Sequence, residues 1–248
     1  MPHSPMIRMF NCNINLTTEE EEAVRALPMR IRAVENRQDV SRGPHESLPH
    51  SCVIVLDGYA CTYRDVRDGQ RQILSFHVPG EMPDLHSLHL NHIYENIGSI
   101  GQLTVGQIRK SDLHQICSEY PRISAALWRL TLIDASISRE WISNVGARDA
   151  RTRAAHLFCE IYFRQQAIGK VRENAFEWPA TQIDLGAALG LSIVHVHRTL
   201  KSLREAGLVE MERGWLRIPN ISALRMAGDF NAGYLHMRST AERAALDC

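Results

Sequence analysis

The sequence lacks long apolar runs, closely spaced cysteines and any excess of charge. No stretch approaches the about 18 uninterrupted apolar residues that a transmembrane helix needs. Residues 1–18 hold one arginine and no apolar core, so they do not have the pattern of a secretory signal. We therefore expect a cytoplasmic protein.

The six cysteines are scattered along the chain. No two of them have the two-residue spacing of a zinc or iron–sulfur site, and a disulfide framework is uncommon in a cytoplasmic chain of 248 residues. Two interpretations remain open, structural thiols and a redox sensor. The cysteines are Cys12, Cys52, Cys61, Cys117, Cys159 and Cys248.

The charge is unevenly distributed, although 28 Lys and Arg balance 28 Asp and Glu. Residues 148–217 carry 11 basic and 8 acidic side chains, which leaves 17 and 20 for the rest. Between His195 and Arg204 there are three cations, two histidines and no acid. Because phosphate neutralisation is local, this basic segment is compatible with DNA binding in a chain without net charge.

The first half of the chain has the pattern of a compact antiparallel β domain. Asp57-Gly58 and Asp68-Gly69 are dipeptides typical of hairpin turns, and residues 39–49 are rich in turn formers. Thr17 followed by Glu20 predicts a capped helix start. The predicted strands are Cys52–Leu56, Tyr59–Tyr63, Gln72–Val78 and Val105–Ile108.

A long helix is predicted from Pro121 to Val145. Apolar residues recur in it at alternating four- and three-residue steps, which predicts the coiled-coil seam of a dimer. Asp134 and Asn144 are polar members of this seam and are compatible with it, because a polar seam residue fixes register. The alternative is a helix packed on the core of its own domain. The predicted dimer interface is Ile123, Leu127, Leu130, Asp134, Ile137 and Trp141.

The C-terminal part predicts a winged helix-turn-helix. Two short helices, Ala180–Leu189 and Ser192–Ala206, are separated by a turn that contains Gly190, and Ser192 is a suitable N-cap. Residues 208–218 predict a wing, a hairpin turning at Arg213-Gly214. The residues predicted to face inward are Ile183, Leu185 and Leu189 of the first helix and Val196, Leu200 and Leu203 of the second.

The outer face of the second helix is the candidate DNA-binding surface. An arginine such as Arg198 can bond guanine O6 and N7 together, and His197 and Lys201 can reach base edges or phosphates. The alternative is an ordinary solvated helix face. The predicted DNA-binding residues are Ser192, Ile193, Val194, His197, Arg198 and Lys201.

The order of these units resembles the Crp/Fnr family of bacterial transcription regulators. The resemblance covers the chain from about Asn36 to Phe230. It implies a symmetric dimer whose recognition helices read half-sites about 34 Å apart in a palindromic operator on double-stranded DNA. It also implies that this dimer recruits or blocks RNA polymerase. The motifs are Val55-Leu56-Asp57-Gly58, Arg71–Phe76 with Pro79-Gly80-Glu81, Arg148–His156, and Leu189-Gly190-Leu191-Ser192 onward.

The sequence departs from this family where ligands would bind. Cyclic-AMP binders follow Gly-Glu with small apolar residues and a later arginine, whereas Gly80-Glu81 is followed by Met82-Pro83-Asp84 and Tyr94-Glu95-Asn96 carries no cation. The iron–sulfur branch uses closely spaced cysteines, and Cys12 stands alone. We therefore predict no cofactor, and nothing in the sequence calls for a haem. Many relatives also carry a glutamate at the position of Val194, which predicts a different operator.

Four histidines between residues 77 and 92 allow two interpretations: they are exposed loop residues, or they form a metal site. They are His77, His86, His89 and His92. No nucleophile–base pair and no phosphate loop is visible, so we do not expect an enzyme.

The predicted fold is α+β: an N-terminal antiparallel β-roll domain (1–120), a dimerisation helix (121–147), a winged helix-turn-helix domain (148–228) and a tail (229–248). The predicted function is a dimeric, sequence-specific regulator of unknown or absent effector. The alternatives are a ligand-, haem- or metal-responsive sensor whose β domain switches DNA affinity, and an enzyme or scaffold that uses the winged helix for protein contacts.

Overall fold

The computed structural model describes residues 3–41, 50–66, 69–90 and 92–237. The fold is α+β, as predicted, with an antiparallel sheet, long helices and a C-terminal winged helix-turn-helix. The strands are β1 Arg30–Val34, β2 Asp39–Ser41, β3 Ser51–Asp65, β4 Arg71–His77, β5 Asn96–Arg109, β6 Ala175–Glu177, β7 Glu210–Glu212 and β8 Trp215–Arg217. The helices are α1 Ser4–Asn11, α2 Thr18–Ala26, α3 Lys110–Glu119, α4 Pro121–Ala147, α5 Ala150–Ala167, α6 Gln182–Leu189, α7 Ile193–Glu205 and α8 Ile221–Ala227, with 3₁₀ turns at Leu85–Leu88 and Ala232–Leu235.

The N-terminal sheet has the strand order β1-β5-β3-β4, with β2 also paired to β5, and all pairings are antiparallel. The predicted hairpin at Asp57-Gly58 is wrong, because β3 runs through it as one strand. The register shifts on either side of Gly58, whose φ of +80° marks a β-bulge. A Cβ at Gly58 would collide with the backbone oxygen of Gln102 on β5, so the close approach of the two strands requires glycine.

Strand β5 is much longer than the predicted Val105–Ile108. Its 14 residues include several glycines, which weaken the strand pattern in the sequence although both neighbouring strands pair with it. The predicted hairpin that leads into β4 is present, and Gly69 in its connection has a φ of +69°. Asp68 and residues 42–49 of the predicted turn-rich segment lie outside the described residues.

Helices α1, α2 and α3 cover one face of this sheet. Thr17 and Glu20 form the predicted capping box at the start of α2. Helix α1, which the sequence did not reveal, buries Met6 and Phe10 in a cluster with Ile54 of β3. The N-terminal segment is thus part of the core.

The long helix α4 has 27 residues and a length of about 40 Å. Its inner face packs on the protein's own core, as in the alternative considered for this helix, and most of the predicted seam lies on that face. Of its members Ile123, Leu127, Ile137 and Trp141 are buried within the chain, Leu130 is half-buried and Asp134 is exposed. The opposite side of α4 carries Trp128, Leu132 and Ile142, which are 69%, 54% and 73% exposed. None of the described helices is both long and apolar enough to cross a membrane.

The C-terminal half is organised around α5, which is buried along most of its length. Helices α6, α7 and α8 and the sheet β6-β8-β7 pack around it. Strand β6 was not predicted. Residues 229–237, for which the sequence predicted only a tail, bury Phe230 and Leu235 in the same core.

Candidate nucleic-acid interface

The turn between α6 and α7 is held by local contacts that follow from its sequence. Gly190 ends α6 with a φ of +64°. Gly186 allows the turn to close, because a Cβ there would lie 2.8 Å from the Leu191 oxygen. Ser192 caps α7, since its hydroxyl accepts a hydrogen bond of 3.3 Å from the His195 amide.

The inner face of α7 is apolar, as predicted. Val196, Leu200 and Leu203 are at most 4% exposed and pack in the core with Leu185 and Leu189 of α6. The prediction was wrong for Ile183, which is 53% exposed. Ile183 precedes Leu185 by two residues, and residues two apart lie on nearly opposite sides of a helix.

The outer face of α7 carries the six predicted DNA-binding residues, and all of them are exposed. Ser192, Ile193 and Val194 lie at the N-terminal end, with Ile193 55% and Val194 69% exposed. The next turns present His197, Arg198 and Lys201. The Lys201 ammonium lies 3.7 Å from the Glu205 carboxylate, an exposed pair that water screens strongly. The structure thus brings the predicted residues to one solvent-facing surface.

The wing is a hairpin whose two-residue turn was predicted. Arg213 and Gly214 have φ values of +49° and +81°, the combination that a tight type I′ turn needs. The Arg213 side chain is 90% exposed at the tip, although its guanidinium lies 3.5 Å from Glu212. The Arg217 guanidinium is paired with both Glu210 and Glu173. Arg213 at the tip is therefore more available than Arg217 to bind a phosphate.

The β domain contacts the helix-turn-helix directly. Arg37, in the connection after β1, donates a 3.2 Å hydrogen bond to the Thr181 hydroxyl and lies 3.5 Å from Asp184. Gln72 of β4 donates to the Ala187 oxygen at 2.7 Å. These contacts hold α6, and through it α7, against the sheet.

A buried ionic cluster joins the same two halves more deeply. Arg164 of α5 donates to Glu81, which follows β4, and to Glu160, at 2.8 Å. Glu160 is fully buried and also accepts hydrogen bonds from Trp141 of α4 at 3.0 Å and from Tyr234 at 2.9 Å. One guanidinium therefore ties the β domain to α4, α5 and the C-terminal segment.

Burial and the neighbouring positive charge shift the pKa values of the two carboxyl groups of this cluster in opposite directions. Burial alone would raise the pKa of Glu81, but Arg164 and His77 outweigh it and hold that pKa at about 2. Burial raises the pKa of Glu160 despite Arg164. Sequence reasoning missed Arg164 and Glu160, since their four-residue spacing is equally typical of a solvated helix pair.

The histidines singled out in the sequence do not converge. His77 bonds the Thr62 hydroxyl at 3.1 Å and faces Glu81, whereas His86 lies 4.0 Å from Glu95. His89 stacks edge-on against His114. Within residues 3–41, 50–66, 69–90 and 92–237, no group of three or more His, Cys, Asp or Glu side chains is placed to hold a metal ion.

No disulfide bond joins the cysteines in the described part of the chain. Burial raises the pKa values of the Cys52, Cys61 and Cys159 thiols to about 12, which keeps them protonated and unreactive. For these three, the structural interpretation fits better than that of a redox sensor. Cys248 lies outside the described residues.

Comparison with known proteins connects this surface to DNA-binding regulators. Residues 152–227 match the family described as Crp-like helix-turn-helix domain. The chain is 24% identical over 162 residues to the transcriptional activator protein FnrL of Cereibacter sphaeroides, a match that covers 64% of each protein. It is 27% identical over 173 residues to the nitrogen fixation regulation protein FixK of Bradyrhizobium diazoefficiens, covering 70% of this chain and 72% of FixK.

The fold has a close counterpart among solved structures. FixK2 from Bradyrhizobium japonicum superposes with a TM-score of 0.73 at 21% identity, covering 83% of this chain and all of FixK2. The matched region spans less than two thirds of FnrL, so the likeness does not extend over that whole protein.

Proposed function

We propose that the chain, whose residues 152–227 match the Crp-like helix-turn-helix domain, is a transcription regulator of the Crp/Fnr family and acts as a dimer whose two α7 helices read a palindromic operator in the major groove. The observation that carries the proposal is the outer face of α7, where Arg198 stands exposed between Val194 and Lys201. Its partners in this proposal are double-stranded DNA, RNA polymerase and a second copy of the chain, in the cytoplasm.

Arg198 is the residue whose loss tests the DNA-binding surface. The operator is first selected from a random DNA pool, and affinity is then measured by gel-shift titration. We expect Arg198→Ala to weaken specific binding by about 5- to 150-fold, the worth of a bidentate contact to guanine, while non-specific binding changes much less.

The matched control is Arg8→Ala, which removes an exposed arginine from α1, outside the helix-turn-helix. It should bind the operator like the original protein. Equal specific affinity of Arg198→Ala and Arg8→Ala would contradict the role of α7. Failure of the pool to yield any preferred sequence would favour a scaffold that uses the winged helix for protein contacts.

The dimer contact is the outer stripe of α4, which replaces the seam predicted from the sequence. Trp128, Leu132, Ala135, Arg139 and Ile142 follow alternating four- and three-residue steps on the side opposite the buried face. Large apolar side chains exposed in such a row are costly in water, and the same stripe on a second copy complements it by symmetry.

The dimer contact is tested by light scattering coupled to size exclusion. We expect a mass of twice the 28.1 kDa chain, and we expect Leu132→Glu to halve it because the charge would be buried in the interface. Met226→Glu alters an apolar residue on α8 that is also exposed, and this variant should stay dimeric. A dimer that survives Leu132→Glu, together with Trp128→Glu, would exclude this surface.

The second candidate function, a sensor that switches DNA affinity, does not use cyclic AMP in this proposal. Glu81, in the Gly-Glu pair that this chain shares with cyclic-AMP binders, is already bonded to Arg164. Tyr94 is exposed, and the Tyr94-Glu95-Asn96 segment carries no cation to neutralise a phosphate. An absorbance spectrum and metal analysis of the purified protein test the haem and metal versions.

A further inference from the structure

Arg153 bonds the C-terminal ends of two helices at once. It lies in the first turn of α5 and is half-buried. Its Nη1 donates a hydrogen bond to the oxygen of Leu189, the last residue of α6, and its Nη2 donates to the oxygen of Arg148 at 3.0 Å. Arg148 is the C-cap of α4. One side chain thus joins the long helix α4 to the helix-turn-helix.

Both oxygens need a donor from outside their own helix. The last carbonyl groups of a helix have no amide partner within it, and they carry the negative end of the helix dipole. A guanidinium suits this place, because it is always charged and directs its donors from one rigid plane. A lysine has a single nitrogen on a flexible stem and cannot hold two separate helix ends in the same way.

The last turn of α4 also lies against the turn between α6 and α7. The side chain of Asn144 is buried, and its amide nitrogen donates to the backbone oxygen of Arg153 at 3.3 Å. A Cβ on Gly190 would lie 3.8 Å from both Arg153 Nη1 and Val145 Cγ1. Ser192, which caps α7, follows Gly190 by two residues. The start of α7 is therefore only a short stretch of backbone away from the end of α4.

We propose that Arg153 is a positioning residue for DNA reading, which fixes the direction of α7 relative to α4 and thereby the spacing of half-sites that a dimer fits. In this role Arg153 acts through the Leu189 oxygen and does not touch DNA. In the function proposed above the dimer is joined along α4, so an α7 held rigidly to α4 is also held at a fixed distance from the α7 of the second copy. The role of Arg153 rests on that function, because it needs a dimer that reads two half-sites.

Three DNA duplexes test the proposal on the full chain. They are the operator selected from the random pool, a duplex with only one half-site, and an operator whose half-sites are one base pair further apart. Gel-shift titration measures the affinity for each, and the original protein should prefer the operator to both of the others. Arg153→Met should reduce both preferences by about 5-fold or more, the lower end of the usual coupling between two sites, while its affinity for the single half-site stays nearly unchanged.

Two further variants separate the geometry of the guanidinium from its charge. Arg153→Lys keeps the positive charge but can reach only one of the two oxygens, so it should lose most of both preferences. It also provides the same comparison if Arg153→Met does not fold. The matched control is Arg8→Met, which removes an exposed arginine from α1 and should keep both preferences. Circular dichroism and light scattering verify that each variant is folded and dimeric.

The role of Arg153 and the proposed function fail in different ways. Equal preferences in Arg153→Met and the original protein would overturn the role of Arg153 alone. Equal weakening on all three duplexes would overturn it too, because a purely structural residue has that effect. If Arg153→Lys behaves like the original protein, charge and not the pair of bonds matters, which also contradicts the proposal. An original protein that does not prefer the operator to a single half-site would contradict dimeric reading itself, and the role of Arg153 with it.

Discussion

Replacing Arg164 by methionine should destabilise the protein more than any other loss of a single charge among the described residues. Methionine preserves much of the side-chain volume and removes the cation. Glu160, which is fully buried, then loses the guanidinium that faces it, and Glu81 keeps His77, 3.6 Å away, but loses Arg164. The Phe76 oxygen also loses the guanidinium that donates to it at 2.6 Å and keeps only the longer bond from the Ser75 hydroxyl, at 3.3 Å, among its side-chain donors.

The magnitude follows from the burial of the partners. Removing one member of a buried ion pair costs about 3–5 kcal/mol, because the remaining charge stays desolvated. The cost should shrink in acid, since Glu81 of Arg164→Met takes up a proton at a higher pH than Glu81 of the original protein, where Arg164 keeps it ionised. In the original protein Arg164 holds the pKa of Glu81 at about 2. The difference in stability between the two proteins is therefore largest near pH 8 and smaller at pH 5.

Urea unfolding at pH 8 and at pH 5, followed by circular dichroism and tryptophan fluorescence, measures both effects. Arg151→Met removes an exposed arginine from the same helix and should change the unfolding free energy by less than about 0.5 kcal/mol. Ordinary surface substitutions change the unfolding free energy by less than about 1 kcal/mol. A decrease of that size for Arg164→Met at pH 8 would refute the role given to the cluster.

Two further predictions concern the β domain. Burial raises the pKa of Asp84 to about 7, although the Val53 amide donates a hydrogen bond to its carboxylate. The folded protein therefore loses stability as the pH rises from about 4 to 7, by at most about 4 kcal/mol. Asp84→Asn should remove that fall in thermal melts across this range, and an unchanged pH profile would contradict the assignment. Gly58→Ala should cost at least about 1–3 kcal/mol, because the bulge needs a positive φ and the Gln102 oxygen leaves no room. Gly69→Ala lacks the collision and should cost less in the same urea titration.

The helix-turn-helix could be predicted because its determinants are local. Ser192 caps the helix that it precedes, Gly190 ends the helix before it, and the spacing of Val196, Leu200 and Leu203 defines the inner face. Each of these is a short-range rule of helix geometry. The prediction that Ile183 faces inward was wrong because it rested on the apolar character of the residue and not on its angular position on α6.

The face of α4 could not be predicted, because the helix carries two apolar stripes. One contains Leu127 and Ile137 and the other Leu132 and Ile142, and both satisfy the same spacing. Only the position of the sheet and of α5 decides which stripe the chain itself covers. The hairpin predicted at Asp57-Gly58 was wrong for a related reason, since a hairpin turn and a β-bulge both use a residue with positive φ.

The boundary between the β domain and the helix-turn-helix combines a shared apolar core, in which Tyr59 and Phe76 pack against Trp178, with directional polar contacts. Arg37 and Gln72 hold α6, and Glu81 holds α5 through Arg164. Apolar surfaces can slide with little loss, whereas a buried guanidinium keeps its partners in only one arrangement. A dimer reads its operator only when its two recognition helices are one turn of DNA apart. In the dimer proposed above, these contacts would set that separation, and a shift of Glu81 relative to Arg164 would change DNA affinity without altering α7.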